Sequence, residues 1–277
     1  MNELPIFPPT RTDTWDRCQL LDYFENQLHL VPRQATKKLV GGLAGRAFAV
    51  GVAGLHNGMP AEWSLKQALA SYKADLTHYA DKGVAFESSI DNIIEASGIA
   101  VTLPKYAAEQ PFKGWTIQDV ERQLPEHGRC IIDLGGLDSD GLLAVADVKY
   151  KQNLDARYES TTIDEYLTSW QFMHYPWAYG DYKKQPCHRM YLCLVVNKPR
   201  FYIKLIPHEI HPETQQIWLR SAQSKWHRMA HQVGIEMATR HKDQFGLCSY
   251  YRACFDYHLD EGLMAQDFIV VPRRESH

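Results

Sequence analysis

The stretch 129–149, RCIIDLGGLDSDGLLAVADVK, constrains this chain more than any other. Two short apolar runs, Arg129–Leu137 and Leu142–Lys149, stand on either side of Asp138-Ser139-Asp140-Gly141. Apolar runs of that length joined by a turn-forming tetrapeptide predict a β-hairpin. Asp133 falls in the first strand, and Asp147 and Lys149 fall two apart in the second. Residues two apart on a strand share a face. Asp133, on the adjacent strand, can converge on that face. Two carboxylates and one ammonium then meet at one sheet edge.

Around this hairpin the pattern is helical, then mixed. Residues 1–10 read as a Pro-rich lead-in. A helix is expected over 13–30, with Leu20, Leu21, Phe24 and Leu28 on one side and Thr12 or Asp13 as cap. Residues 37–57 predict a second helix, so rich in Gly and Ala that either another element approaches its backbone closely or it is loosely formed. Further helices are expected over 62–80 and 84–97, the latter ended by Gly98. Residues 162–182 and 212–240 read as helices, and 189–196 with 200–207 as a second hairpin around Asn197-Lys198-Pro199. The tail from Phe245 is aromatic and irregular. Helices, hairpin, helix, hairpin, helix argue for an α+β or mixed α/β core with helical decoration.

Composition narrows the function classes. With 45% hydrophobic and 23% charged residues over 277, wholesale disorder is excluded. No apolar run approaches the roughly 20 residues of a membrane span. MNELPIFPPTRTD has neither the basic nor the apolar part of a secretory signal, so a cytoplasmic protein is expected. A net charge of −3 excludes a uniformly basic coat for nucleic acid. It leaves room for a nuclease with a local basic groove. None of the six cysteines forms a CxxC pair, and a disulfide framework is not expected.

The chemistry that suits two carboxylates and a lysine is metal-assisted phosphodiester hydrolysis. Carboxylate oxygens are preferred ligands of Mg²⁺ and Mn²⁺. A lysine beside them offers positive charge where charge develops on the phosphate. D-x-K alone is weak, and it recurs at Asp181-Tyr182-Lys183, which reads as a solvated turn. Gln171 and Tyr175 strengthen the first case. Four apart on the following helix, they share one face. The same spacing at Gln19 and Tyr23 reads as ordinary helix surface.

IIDLGG, LLAVADVKYK and QFMHY, in that order and spacing, resemble the PD-(D/E)XK nuclease superfamily. The resemblance is to the branch of RecB-type nuclease domains, Cas4-like proteins and phage exonucleases, and covers roughly 110–205. It implies a central mixed β-sheet flanked by helices, a divalent metal (Mg²⁺ or Mn²⁺) at Asp133 and Asp147, and Lys149 as the catalytic lysine. It divides the chain into a helical region packed on the core (1–100), the nuclease core (101–240) and a C-terminal flap or tail (241–277), in one compact unit. Where RecB-like members carry an early histidine ligand, this chain has Ala49 in GRAFA, and Glu87 after Gly83 and Phe86 is a second candidate. Glu87 reads equally as a solvated glutamate. For the family's E-x-x-F segment, Glu109 in EQPF matches better than Glu121.

Some RecB-like members hold an iron–sulfur cluster. Cys18, Cys248 and Cys254 stand at suitable places, but a fourth thiol is missing and only His258 is near. The other reading is a remnant of that flap, packed by Tyr250, Tyr251, Phe255 and Tyr257. His208-Glu209-Ile210-His211 is one residue short of H-E-x-x-H and reads as a surface loop. DNA contacts are expected from Arg33, Lys37 and Lys38 and from Lys149, Lys151, Lys183 and Lys184. The resemblance implies a metal-dependent exonuclease acting on DNA ends in recombination or repair, phage-type, with a single-strand annealing or recombination protein as partner, and admits a homo-oligomer. The alternatives are a Cas4-like nuclease trimming DNA for a partner complex, and a nuclease-fold protein that only binds DNA.

Overall fold

The structure, a computed structural model, describes residues 6–17, 19–128, 130–231 and 261–271. Cys18, Arg129, Cys248, Cys254, His258 and most of 241–277 therefore lie outside the described residues.

The chain opens with α1 (Pro9–Arg17) and α2 (Gln19–Asp22), followed by a π-helical turn, Tyr23–Gln27. The single helix expected over 13–30 is thus broken, and it begins earlier. Pro9 suits a first helical position, where its missing N–H costs nothing. Leu30 lies instead in the short strand β1 (Leu30–Pro32). Next come α3 (Lys37–His56), capped by Thr36 accepting from the Leu39 N–H, and α4 (Ala61–Asp81). α5 (Ile90–Ser97) is shorter than expected, because Gly83 has φ +93° and Ala85 forms an isolated bridge with Gln34. Gly98 ends α5 at φ +75°, as expected, and α6 (Ile99–Glu109), absent from the sequence reading, starts directly after it.

The core is a five-stranded sheet: β2 (Thr116–Leu124), β3 (Cys130–Leu137), β4 (Leu143–Asn153), β5 (Arg189–Lys198) and β6 (Tyr202–Glu209), in that spatial order. All neighbours are antiparallel except β4 and β5, which run parallel. A parallel pair needs a crossover, supplied here by α7 (Glu159–Leu167) and α8 (Trp170–Lys183). α9 (Pro212–His231), α10 (Glu261–Asp267) and β7 (Phe268–Val270) complete the described chain, with β7 pairing β1. The fold is α+β, with a mixed central sheet flanked by helices. The helix expected over 162–182 is interrupted at Thr168-Ser169, where Thr168 Oγ1 donates back to the Asp164 carbonyl. His208 and Glu209, read as loop, belong to β6.

Burial follows the alternation of β4. Ala146, Val148 and Tyr150 join the layer of α3, α4 and α6, where Tyr150 stacks on Phe48 at 4.6 Å. Leu143 and Val145 face the layer of α8 with Phe172, Tyr175 and Tyr179. The close approach that the glycines of α3 call for is real at two of them. A Cβ on Gly51 would lie 2.4 Å from a Leu103 methyl of α6, and one on Gly54 2.8 Å from Ser64 Oγ of α4. α3 is long and apolar enough, by length and composition, to cross a membrane, against the sequence expectation that no run approached this. Alternating Gly and Ala with larger apolar residues hides the run from the eye. Leu43, Ala47, Phe48 and Val52 of α3 nevertheless lie in the protein core.

The paired glycines of β3 answer to two neighbours. Gly135 lies against the Tyr179 ring, and a Cβ on Gly136 would stand 2.2 Å from the Thr116 carbonyl oxygen. Backbone cannot yield as a side chain can. Gly136→Ala is therefore expected to destabilise the protein by roughly 1–3 kcal/mol, read as a lower urea midpoint with an unchanged slope.

The expected free thiols are buried where described. Cys130, Cys187 and Cys193 are unpaired and inside the protein. Burial pushes the Cys130 and Cys187 thiols up to about 12, so they stay protonated and inert.

Candidate functional site

β3 and β4 pair from Leu137 and Leu143 up to Leu134 and Ala146, and the ladder stops there. Asp133 and Asp147 come next, on either side of the opening. In place of a strand partner, the Val148 N–H donates to Asp133 Oδ2 at 2.8 Å. A carboxylate thus substitutes for a backbone carbonyl and is pinned in the gap between two strands.

Asp147 is 1% exposed. Lys149 Nζ lies 2.9 Å from both its oxygens and donates to Oδ1. Asp147 Oδ2 keeps that ionic contact but is buried without a hydrogen bond. Nζ also donates to Gln171 Oε1 at 3.1 Å, and Gln171 Nε2 donates to the Tyr175 hydroxyl at 2.8 Å. α8 therefore delivers Gln171 and Tyr175 from one face onto the β4 lysine. The amide of Gln171 is oriented by Tyr175, which is itself buried. Asp147, Lys149, Gln171 and Tyr175 form one bonded series, and Asp133 stands beside it, close enough to feel the charges of Asp147 and Lys149.

A third carboxylate, passed over in the sequence in favour of Glu109, stands with them. Glu121 on β2 has φ +48°, a left-handed conformation that glutamate rarely adopts. Its register position lies opposite Asp133, between the paired Val120–Leu134 and Arg122–Ile132. Burial, then the charge of Asp147, pushes its carboxyl up to about 7. By contrast, Glu109 is exposed at the end of α6, and Glu87 is exposed in the loop before α5. Neither perturbs the group around Asp133. The structure places Glu121 there instead.

The electrostatics are those of surplus negative charge. Asp133 is held well above the usual carboxylate range, first by burial, then by Asp147 and Glu121; Lys149 and the Val148 amide offset part of this. Burial alone would lower Lys149, but Asp147 and Asp133 reverse that and hold it above its ordinary value. Tyr175 is raised well above the usual phenol range by burial, Asp147 and Asp133. Asp147 and Asp133 share one ammonium, and Glu121 adds a third carboxylate beside them. Among the described residues no three acidic, imidazole or thiol groups form a preset metal cage. Lys149 holds the place against Asp147. The fit to a divalent cation is one of chemistry: oxygen-only donors, one buried oxygen without a hydrogen bond, and uncompensated charge.

The remaining candidates separate cleanly. Asp181 and Lys183 lie in the last turn of α8 rather than in a loop, and Asp181 is solvent-exposed as expected. Asp181 pairs with His127 at 2.9 Å, and Lys183 with Asp119 at 2.6 Å. Lys184 pairs with Asp181, Lys38 with Glu25, and Arg33 donates to the Ala265 carbonyl. Lys37 is exposed. Lys151 shares the Tyr166 ring with Lys149, their ammonium groups 5.3 and 5.6 Å from its centre. Gln19 opens α2, far in sequence from this group. The chain matches no family model and no curated protein.

Proposed function

We propose that this protein is a metal-dependent nuclease of the PD-(D/E)XK type, hydrolysing phosphodiester bonds of DNA from its ends. One observation carries the reading. Asp133, Asp147 and Lys149 converge where β3 and β4 part, with Gln171 and Tyr175 bonded in series to the lysine. An ion pair that served only to hold two strands would not require a buried relay behind it. The strand order, with β4 parallel to β5 through a helical crossover, is compatible with the core that the sequence resemblance implies.

Asp133 and Asp147, with Glu121, would hold Mg²⁺ or Mn²⁺. When bound, the metal neutralises the scissile phosphate and acidifies a water. The chain's own groups do the rest. Lys149, kept charged by Asp147 and Asp133, places its ammonium beside the phosphate as negative charge grows there. Gln171 fixes the direction of that ammonium, and Tyr175 fixes Gln171. Burial of Asp147 keeps bulk water from screening these interactions.

The test is digestion of end-labelled linear and closed circular DNA in Mg²⁺, Mn²⁺ or EDTA, with Asp147→Ala and Lys149→Ala as controls. Metal-dependent loss of linear DNA alone is expected. Cutting of circles makes the enzyme an endonuclease. Activity that survives both substitutions overturns the assignment.

A further inference from the structure

A strand of DNA approaching Asp133, Asp147 and Glu121 meets three carboxylates and a single neutralising lysine. A metal held there would offset that charge at the scissile phosphate, and the neighbouring phosphates need cations of their own. Lys151 lies two residues beyond Lys149 on β4, so both side chains rise from the same face. Both ammonium groups lie over the Tyr166 ring of α7. Their neighbours differ. Lys149 is engaged by Asp147 and Gln171. Lys151 pairs with no carboxylate among the described residues, whereas Lys183, Lys184, Lys204 and Lys38 all do. Asp164 and Glu165, next to Tyr166 in sequence, are exposed, and neither forms an ion pair with Lys151.

Two residues along a strand separate the lysines by about 6.6 Å. That is the order of spacing between successive phosphates on one nucleic-acid strand. Resting on the nuclease reading above, we propose that Lys151, held in place by Tyr166, binds the phosphate next to the one that is cut. Lys151 is then a substrate-positioning residue, and the Lys149–Tyr166–Lys151 arrangement reads two consecutive phosphates of the same strand. The substrate class follows: a continuous strand with a charged linkage beside the scissile one.

The experiment is a scan of one oligonucleotide strand, replacing each phosphate in turn by a neutral methylphosphonate. Steady-state cleavage is measured for wild type, Lys151→Gln, Lys151→Arg and Tyr166→Leu. In wild type, two linkages are expected to be sensitive, the scissile one and one neighbour. Lys151→Gln should raise KM about tenfold, the loss of one phosphate contact, with kcat within about twofold. It should lose sensitivity at the neighbour alone. Lys151→Arg should restore it, and Tyr166→Leu should weaken it. A silent neighbour in a wild-type enzyme that cleaves overturns the inference and leaves the nuclease reading standing. So does a Lys151→Gln enzyme sensitive at both linkages. If wild type never cleaves, the same scan is read by equilibrium binding in EDTA. A neighbour effect that depends on Lys151 then supports the phosphate subsite without the nuclease, and its absence removes both.

Discussion

Lys149→Met is expected to lower the cleavage rate by about a thousandfold or more while the protein still folds. The size follows from what the ammonium does. A charge aimed at developing negative charge in a site shielded from water contributes on the order of 10²–10³ in rate by itself. Here its removal also frees Gln171 and leaves Asp147 without its only salt-bridge partner among the described residues. Methionine keeps the bulk of the stem, so packing is largely preserved. The same change has a second signature. Taking one partner from a buried pair commonly costs about 3–5 kcal/mol, but carboxylates can respond by binding protons. Asp133 lies well above its ordinary range and Glu121 near 7 even with Lys149 present. In EDTA the variant should therefore melt well below wild type at pH 8, and the gap should narrow toward pH 6. Cleavage within tenfold of wild type overturns the role of Lys149. A melting gap that ignores pH overturns the account of shared charge.

Acid is expected to pull the metal-free protein in two opposite directions. His174 is fully buried among Trp177, Trp218 and Trp226, their ring centres 5.4–5.9 Å away. Its Nε2 donates to the His127 carbonyl, and its Nδ1 is buried without a partner. Burial lowers its pKa from 6.5 to about 4. The unfolded chain takes up that proton first, so the contribution is complete above about pH 6.5 and is lost as pH falls toward 4. The sum is roughly 3 kcal/mol. Glu121 runs the other way. Its folded value near 7 exceeds its ordinary 4.5, so the folded state binds the proton first. Its charge weakens the fold above about pH 7, and that weakness is gone below about 4.5. The two effects oppose each other over the same interval. His56, lowered to about 4 by burial, acts with His174, and Asp133, raised by burial and its neighbours, acts with Glu121, so each variant is read against wild type. Glu121→Gln removes one contribution. It should raise the urea midpoint above wild type at pH 8, and that gain should vanish as pH falls toward 4.5. His174→Phe removes another, and its stability relative to wild type should climb on acidification. Parallel profiles for the two variants would refute this balance.

How much of this could be read from residues alone depended on burial. The hairpin was legible because both strands are apolar and Asp138 closes its turn, accepting from the amides of Asp140 and Leu142. Asp147 and Lys149 were legible because charges are out of place at the end of such a run. Gln171 and Tyr175 were legible from helical spacing, even though the helix begins later than its pattern. β2 was not legible. TIQDVERQL is polar because the strand lies at the sheet edge, and the register shift between Ile117 and Asp119 breaks its alternation. Without the strand, Glu121 ranked below Glu109. The only trace the strand left was Ile117 and Val120, three apart where a regular strand would place them two or four apart. α6 was hidden by Pro104 within it. Glu109 drew attention by its neighbours in sequence, yet a helix end carried it to the surface. The N-terminal helix misled for a related reason: its apolar residues keep helical spacing to Leu28, past Gln27, where the helical backbone ends ahead of β1.

The Val148 N–H bond to Asp133 has a consequence for how this protein can change over time. One oxygen atom both closes the sheet and shapes the site. Asparagine at 133 would keep an acceptor for the strand and abolish the charge. Alanine would remove both and leave an inward-facing amide unanswered. A lineage that gave up the reaction could therefore drift readily at Gln171, whose loss leaves no strand unpaired and no buried charge alone. Lys149 would still be held by the buried carboxylate of Asp147, and Asp133 by the need for an oxygen. Catalytic decay in such a fold should leave its mark unevenly, with the glutamine fading first and the hairpin's acceptor last.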